Sequence, residues 1–394
     1  MPSLLTPPLS LYIHLPWCIS KCPYCDFNSH ALKGKLPEAD YVDSLIADLD
    51  QDLKLLEDRK LESVFLGGGT PSLFSPAAIS RVLNAVHDRF DCSVGLEVTL
   101  EVNPGTHERG RFKAYVSAGV NRVSLGVQSF SDTKLSALGR IHTAAESIAA
   151  AAEARKAGIA ALNLDLMFAL PGQNVAEAVA DMRQALELQP DHLSHYQLTL
   201  EPGTSFYKKP PVLPDEETAF EMTKAARTVL EAAGFEQYEI SAWARPGNRC
   251  RHNLNYWKFG DYLGIGAGAH SKLTDPRSGR ILRMVKRRNP VAYLRSAATD
   301  ERLESIGGVP EADRAFEFLL NALRLKTGFT RDIFEARTGL ALAEINAALT
   351  EARDRRLLRQ SGDRWLPTDL GYRFLNDLQA LFLPPATSAA VPTN

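Results

Sequence analysis

The chain has 394 residues, 45% of them apolar, and 45 Lys plus Arg against 47 Asp plus Glu give a formal net charge of −2. That balance excludes a disordered or fibrous chain and a protein built to seek polyanions. No apolar run approaches the roughly 20 residues that span a bilayer, and the N-terminus has neither a basic flank nor a small-residue cleavage pattern, so the reading is cytoplasmic.

Short β-branched or alternating runs predict strands at residues 11–15, 63–66, 95–102, 122–127, 162–166, 192–200 and 238–243. Between them, helical apolar spacing predicts helices at 41–56, 77–90, 144–156, 175–188 and 216–233. This alternation implies right-handed βαβ units and a parallel sheet, open or rolled towards a barrel. The run Gly67, Gly68, Gly69, Thr70 and the polar residues Glu101, Gln128 and Asp165 each fall at or just past the end of a different predicted strand. An open doubly wound sheet gathers its site at one crevice, whereas a barrel gathers loops from many strand ends, so a full or partial barrel is favoured.

After about Val309 the pattern changes to helices at 312–325, 330–338 and 342–355, a hairpin turning at Ser361, Gly362 and Asp363, and a final helix at 372–381. This is a winged-helix-like α+β module. Residues 311–380 hold 11 Lys plus Arg and 11 Asp plus Glu, so the module carries no electrostatic footprint for nucleic acid. The expected division is a barrel with an extension over 1–300, the module over 301–383, and a disordered Pro- and Ala-rich tail over 384–394.

Three of the five cysteines stand in the stretch CISKCPYCDF, directly after the first predicted strand. Five is an odd number and the chain is long, so the cluster reads as a metal site in a reducing compartment rather than as part of a disulfide framework. Three thiolates in one loop suit an iron-sulfur cluster or zinc. A structural zinc would need a fourth ligand, for which His14 and His30 are candidates. A cubane held by Cys18, Cys22 and Cys25 would leave one iron without a protein ligand.

With Tyr24 immediately before the third cysteine, the loop resembles that of the radical S-adenosylmethionine superfamily. The stretches YIHLPWC, LGGGTPS, EVNP, GVQSF, LGRIH and NLDLMFALPGQ resemble, in order, landmarks of the subgroup containing oxygen-independent coproporphyrinogen III dehydrogenase, over roughly residues 10–290. The resemblance implies a partial (β/α)6 barrel and a [4Fe-4S] cluster on Cys18, Cys22 and Cys25. It also implies S-adenosylmethionine surrounded by Tyr12, Tyr24, Gly68, Gly69, Thr70, Glu101, Gln128, Arg140 and Asp165. Glycines would admit close backbone approach, Arg140 would offer a planar fork to the methionyl carboxylate, and Glu101, Gln128 and Asp165 would meet hydroxyls and the ammonium group.

In the dehydrogenase a further cysteine follows two positions after the third; here Phe27 stands there. That departure, with the hexapeptide HNLNYW, resembles the heme-chaperone branch of the coproporphyrinogen-oxidase-like family. The resemblance implies heme bound at His252, Tyr256 and Trp257, with Cys250 and His270 as rival iron ligands. The implied function is binding of heme and its delivery to apo-hemoproteins, among them membrane-associated respiratory proteins, at the inner face of a membrane, with a homodimer as a further possibility. The alternatives are a true dehydrogenase that decarboxylates two propionates, and a radical enzyme acting on another small molecule.

Overall fold

The computed structural model describes residues 2–56, 59–105 and 110–384; the expected disordered tail beyond Pro384 lies outside the described residues. Six strands, β1 (Leu9–Leu15), β2 (Leu61–Gly68), β3 (Cys92–Val102), β4 (Arg122–Gln128), β5 (Ala161–Phe168) and β6 (His192–Gln197), pair in parallel, each with the next. Strand β1 is buried at six of its seven positions, because a parallel strand covered on both faces needs apolar side chains on both. The connecting helices start where their sequence says they should. Ser75 caps Pro76–His87, and Thr143 with Glu146 and Asn174 with Glu177 form capping boxes for Ala144–Lys156 and Val175–Glu187.

The sheet is extended at both ends. Beyond β6 lie two short antiparallel strands, β7 (Glu236–Gln237) and β8 (Ala242–Ala244). Beyond β1 lies β9 (Asp261–Ile265), parallel to it, followed by antiparallel β10 (His270–Asp275), β11 (Arg280–Lys286) and β12 (Leu303–Gly308). The twelve strands run β12-β11-β10-β9-β1-β2-β3-β4-β5-β6-β8-β7, and the two ends do not pair, which makes a partial barrel.

Two expectations change here. The single strand expected at 238–243 is replaced by two strands flanking a turn, because Glu239 bridges to Leu325 and the Tyr238 carbonyl accepts from Lys326 N at 3.0 Å. The strands β9–β12 of the expected extension were not among the predicted ones, and their surroundings are partly ionic. Lys286 Nζ lies 2.5 Å from both Asp48 and Asp52, Arg302 reaches the same pair at 3.1 and 2.6 Å, and Tyr293 donates to Asp48 at 2.7 Å, all fully buried. This network ties the helix Glu38–Asp52 to β11, to the helix Pro290–Ser296 and to the turn Asp300–Arg302 that leads into β12.

The last part of the chain is a winged-helix-like module. Helices Glu311–Ala322, Arg331–Thr338 and Asn346–Asp354 pack with a three-stranded sheet of β13 (Phe329–Thr330), β14 (Leu358–Ser361) and β15 (Arg364–Pro367). The final expected helix is broken at Phe374 into Asp369–Arg373 and Leu375–Ala380. The module's core, around Phe318, Phe329, Phe334 and Trp365, also contains Leu4, Phe259 and Ile281 from the rest of the chain. Among the described residues, no helix is long and apolar enough to cross a membrane.

Candidate cluster and cofactor cavity

The cysteine loop is clamped at its base and along its length. Trp17–Cys18 pairs in parallel with His30–Ala31, and Tyr41 donates to the His14 carbonyl at 2.8 Å. Asn28 donates to the Ala267 carbonyl at 2.8 Å, and Lys21 donates to the carbonyls of Phe27 and Ser29 at 3.1 and 3.0 Å. Both nitrogens of His14 are engaged, by Tyr12 Oη and the Asn28 carbonyl, each at 2.9 Å, and burial pushes its pKa down to about 4. His14 is thus a strut of the loop.

Cys18, Cys22 and Cys25 are unpaired thiols lining one mouth. The Cys25 amide donates to the Cys22 carbonyl at 3.2 Å, and Arg140 Nη1 approaches Cys22 Sγ at 3.5 Å. Burial raises the Cys18 pKa, against a hydrogen bond with Thr70 that lowers it. The thiols share the mouth without having converged: among the described residues no three His, Cys, Asp or Glu side chains are gathered at metal-binding distance. Phe27 projects from the same loop, 65% exposed.

The end of β2 passes directly under this loop. Gly69 N donates to the Leu15 carbonyl at 2.9 Å and Thr70 N to the Trp17 carbonyl at 2.8 Å. A Cβ on Gly69 would stand 2.6 Å from the Trp17 carbonyl oxygen, and one on Gly68 would stand 2.5 Å from the His14 ring. The glycines are therefore required first by the approach of strand and cysteine loop to each other.

From the mouth a cavity of about 630 Å³ runs into the barrel. Tyr24, Gly68, Gly69, Thr70, Glu101, Gln128, Arg140 and Asp165 line it together with the three cysteines. Glu101 accepts from Gly68 N at 3.0 Å, and its pKa is pushed up to about 7 by burial, with Asp165 beside it. Burial likewise raises Asp165, against hydrogen bonds from Ser124 and Asn163, each 2.8 Å long. Gln128 has a left-handed backbone, with φ of 68°, and accepts from Tyr196 Oη at 2.6 Å. Arg140 donates to the Gly126 carbonyl at 3.0 Å and to Asn103, while its Nε is buried without a partner.

Tyr12 does not line the cavity; it stacks on Phe65 with ring centroids 6.2 Å apart. Nor do His252 and Tyr256. Both lie on the helix Arg251–Trp257, which packs on β1, β2 and β9. The His252 ring is 3% exposed, 3.2 Å from Ser63 Oγ and 4.9 Å from the Phe65 ring, and burial pushes its pKa down to about 3. Tyr256 stacks on Tyr262 at 4.1 Å. Trp257 does reach the deep end of the cavity, with Arg324 4.3 Å above its ring and its indole N–H buried without a partner. Cys250 is there too, its thiol pushed up to about 12 by burial, whereas His270 is exposed at the start of β10.

Sequence reasoning missed Asn103, Ser124, Asn163, His192, Ser194 and Tyr196, which also line the cavity. Their signal was polar residues two apart, Asn163 and Asp165, then His192, Ser194 and Tyr196, in strands buried on both faces.

The Radical SAM superfamily matches residues 12–185, and the HemN C-terminal domain matches residues 309–374. A protein named heme chaperone HemW from Haemophilus influenzae is 49% identical over 387 residues, 97% of this chain and 99% of its own length. Its namesake from Escherichia coli is 50% identical over 377 residues, 96% of this chain and 98% of its own. Among solved structures, coproporphyrinogen III oxidase (HemN) from Escherichia coli, described as a radical SAM enzyme, superposes with a TM-score of 0.81 at 21% identity, covering 96% of this chain and 90% of that one, a likeness of fold. At half identity over nearly its whole length, with the cysteine loop and barrel in place, the chain belongs to the HemW heme-chaperone family of the radical SAM superfamily.

Proposed function

We propose that the protein binds heme and hands it to apo-hemoproteins while carrying a [4Fe-4S] cluster on Cys18, Cys22 and Cys25 and S-adenosylmethionine in the barrel cavity. The observation that carries the heme reading is the near-full-length identity to proteins named heme chaperones. The cofactor reading is supported by the donor set: three soft thiols at one mouth, opening onto a cavity that Glu101, Arg140 and Asp165 also line. Arg140, with one buried N–H unpartnered, suits the methionyl carboxylate, and Glu101 and Asp165 suit the ammonium group and hydroxyls. A cluster on these three thiolates would supply, when reduced, an electron to the sulfonium of S-adenosylmethionine. The chain's own part is to hold the three thiolates, orient the ligand from several strand ends and keep bulk water out of the barrel.

The heme contacts proposed are His252, Tyr256 and Trp257. Trp257 meets heme from the deep end of the cavity as the protein stands, whereas His252 ligates iron only if the helix Arg251–Trp257 lifts from the sheet. The same reading places the chain in the cytoplasm at the inner face of a membrane, with respiratory hemoproteins as recipients. It also divides the chain into a barrel with its extension and a C-terminal module. Packing favours a seam after Gly308, since β12 stays with the large sheet and most of the second core comes from Val309 onward.

The test is a heme titration of the anaerobically reconstituted protein, followed by transfer to an apo-hemoprotein. The His252→Ala variant should shift or weaken the Soret band; an unaltered spectrum would move the ligand to Cys250 or His270.

A further inference from the structure

Beside the carboxylate of Asp165 stands a chain of buried polar groups, of which Ser124, Asn163 and His192 also line the cavity and Tyr238 does not. Strand register builds it: Ser124 on β4 is paired with Asn163 on β5, and Asn163 with His192 on β6, so three polar side chains form one row across the barrel interior. Asn163 Nδ2 donates to Ser124 Oγ at 2.7 Å and to Asp165 Oδ1 at 2.8 Å. Ser124 Oγ in turn donates to Asp165 Oδ2 at 2.8 Å. With both amide hydrogens engaged, Asn163 Oδ1 must accept, which places a hydrogen on His192 Nδ1, 2.6 Å away. His192 Nε2 then accepts from Tyr238 Oη at 2.8 Å. Asn163, His192 and Tyr238 are 3%, 1% and 1% exposed, so each polar atom must find its partner within the chain.

We propose that His192 and Tyr238 are positioning residues for S-adenosylmethionine, fixing the amide of Asn163 and through it the carboxylate of Asp165. The proposal rests on the reading that Asp165 contacts that ligand. An Asn between a serine and an aspartate can flip its amide, and the flipped state presents a carbonyl to the carboxylate; Ser194 Oγ, donating to Asn163 Oδ1 at 3.2 Å, already opposes that state. The hydrogen on His192 Nδ1, at 2.6 Å, adds to Ser194 in holding the other state, and Tyr238 Oη, by donating to Nε2, stabilises the tautomer that carries it. Tyr238 is also where the C-terminal module docks, because its carbonyl accepts from Lys326 N and the adjacent Glu239 pairs with Arg324 at 3.3 Å. Cofactor orientation is thereby tied to the seating of that module.

The test is a double-mutant cycle in the dissociation constant of S-adenosylmethionine, measured by equilibrium dialysis on the reconstituted full-length protein. Tyr238→Phe and His192→Leu should each weaken binding about 3–10-fold, and His192→Asn, which keeps an N–H near the Nδ1 position, should regain most of the loss. In an Asp165→Ala background the same changes should alter binding by less than about twofold. Equal losses in both backgrounds, or no recovery with His192→Asn, would reduce the row to packing and overturn the proposal. Unchanged affinity on Asp165→Ala alone would remove the underlying reading of Asp165 and the proposal with it.

Discussion

The Gly69→Ala substitution tests how the cysteine loop is held. The added methyl would lie 2.6 Å from the Trp17 carbonyl oxygen and 2.8 Å from the Pro16 and Trp17 carbonyl carbons. Ordinary contact needs about 3.5 Å, so strand and loop must separate by close to 1 Å, and backbone rather than a flexible side chain has to move. The two hydrogen bonds that flank the contact, from Gly69 N and Thr70 N, stretch with it. Overpacking costs about 1–3 kcal/mol and weakened hydrogen bonds about 1 kcal/mol, giving a destabilisation of about 2–4 kcal/mol. Urea unfolding followed by circular dichroism measures it, with Gly307→Ala, where the methyl meets nothing within 4 Å, as the neutral control. The moved loop also carries the thiols, so cluster content after reconstitution should fall in the Gly69 variant and not in the control. Equal stability and equal cluster content in the two variants would refute the reasoning.

Lys286→Met should cost about 3–5 kcal/mol in the same assay, because it leaves Asp48 and Asp52 buried with Arg302 as their remaining cation. A loss under 1 kcal/mol would mean that the pair is already neutralised by other means. His252 has its folded pKa pushed down to about 3, so the unfolded state binds a proton first and stability is lost as pH falls below about 6.5. Relative to wild type, His252→Phe should therefore gain about 2 kcal/mol on going from pH 7.5 to 5, read from urea midpoints; a pH-independent difference would contradict the burial. Cys22→Ser should abolish the broad visible absorption of the reconstituted cluster, and a surviving cluster would sink the ligand assignment.

The six parallel strands were legible because each is a short apolar run covered on both faces, as β1 shows. The cysteine spacing, the strand-end residues Glu101, Gln128 and Asp165, and Arg140 were legible as motif, and the fold brings them to one cavity. The extension β9–β12 was not, since Lys272 and Lys286 interrupt the apolar pattern of its strands and are buried only because each meets buried aspartates. The break at Tyr238 and Glu239 depends on partners more than 80 residues away, which no local pattern encodes. His252 shows the limit most sharply: an imidazole among aromatic residues has the same sequence signature as an iron ligand or as a core residue bonded to Ser63. The glycine run was legible as a need for close approach, but the approaching partner is the cysteine loop itself.

The central claim is that this barrel serves heme delivery, with Phe27 where a fourth cysteine of the loop would stand. One anaerobic sample of cluster-reconstituted protein, given coproporphyrinogen III, S-adenosylmethionine and reductant and then titrated with heme, tests it most directly. The account predicts stoichiometric heme binding with no decarboxylated porphyrin. Turnover to protoporphyrinogen, or failure to bind heme, would contradict it.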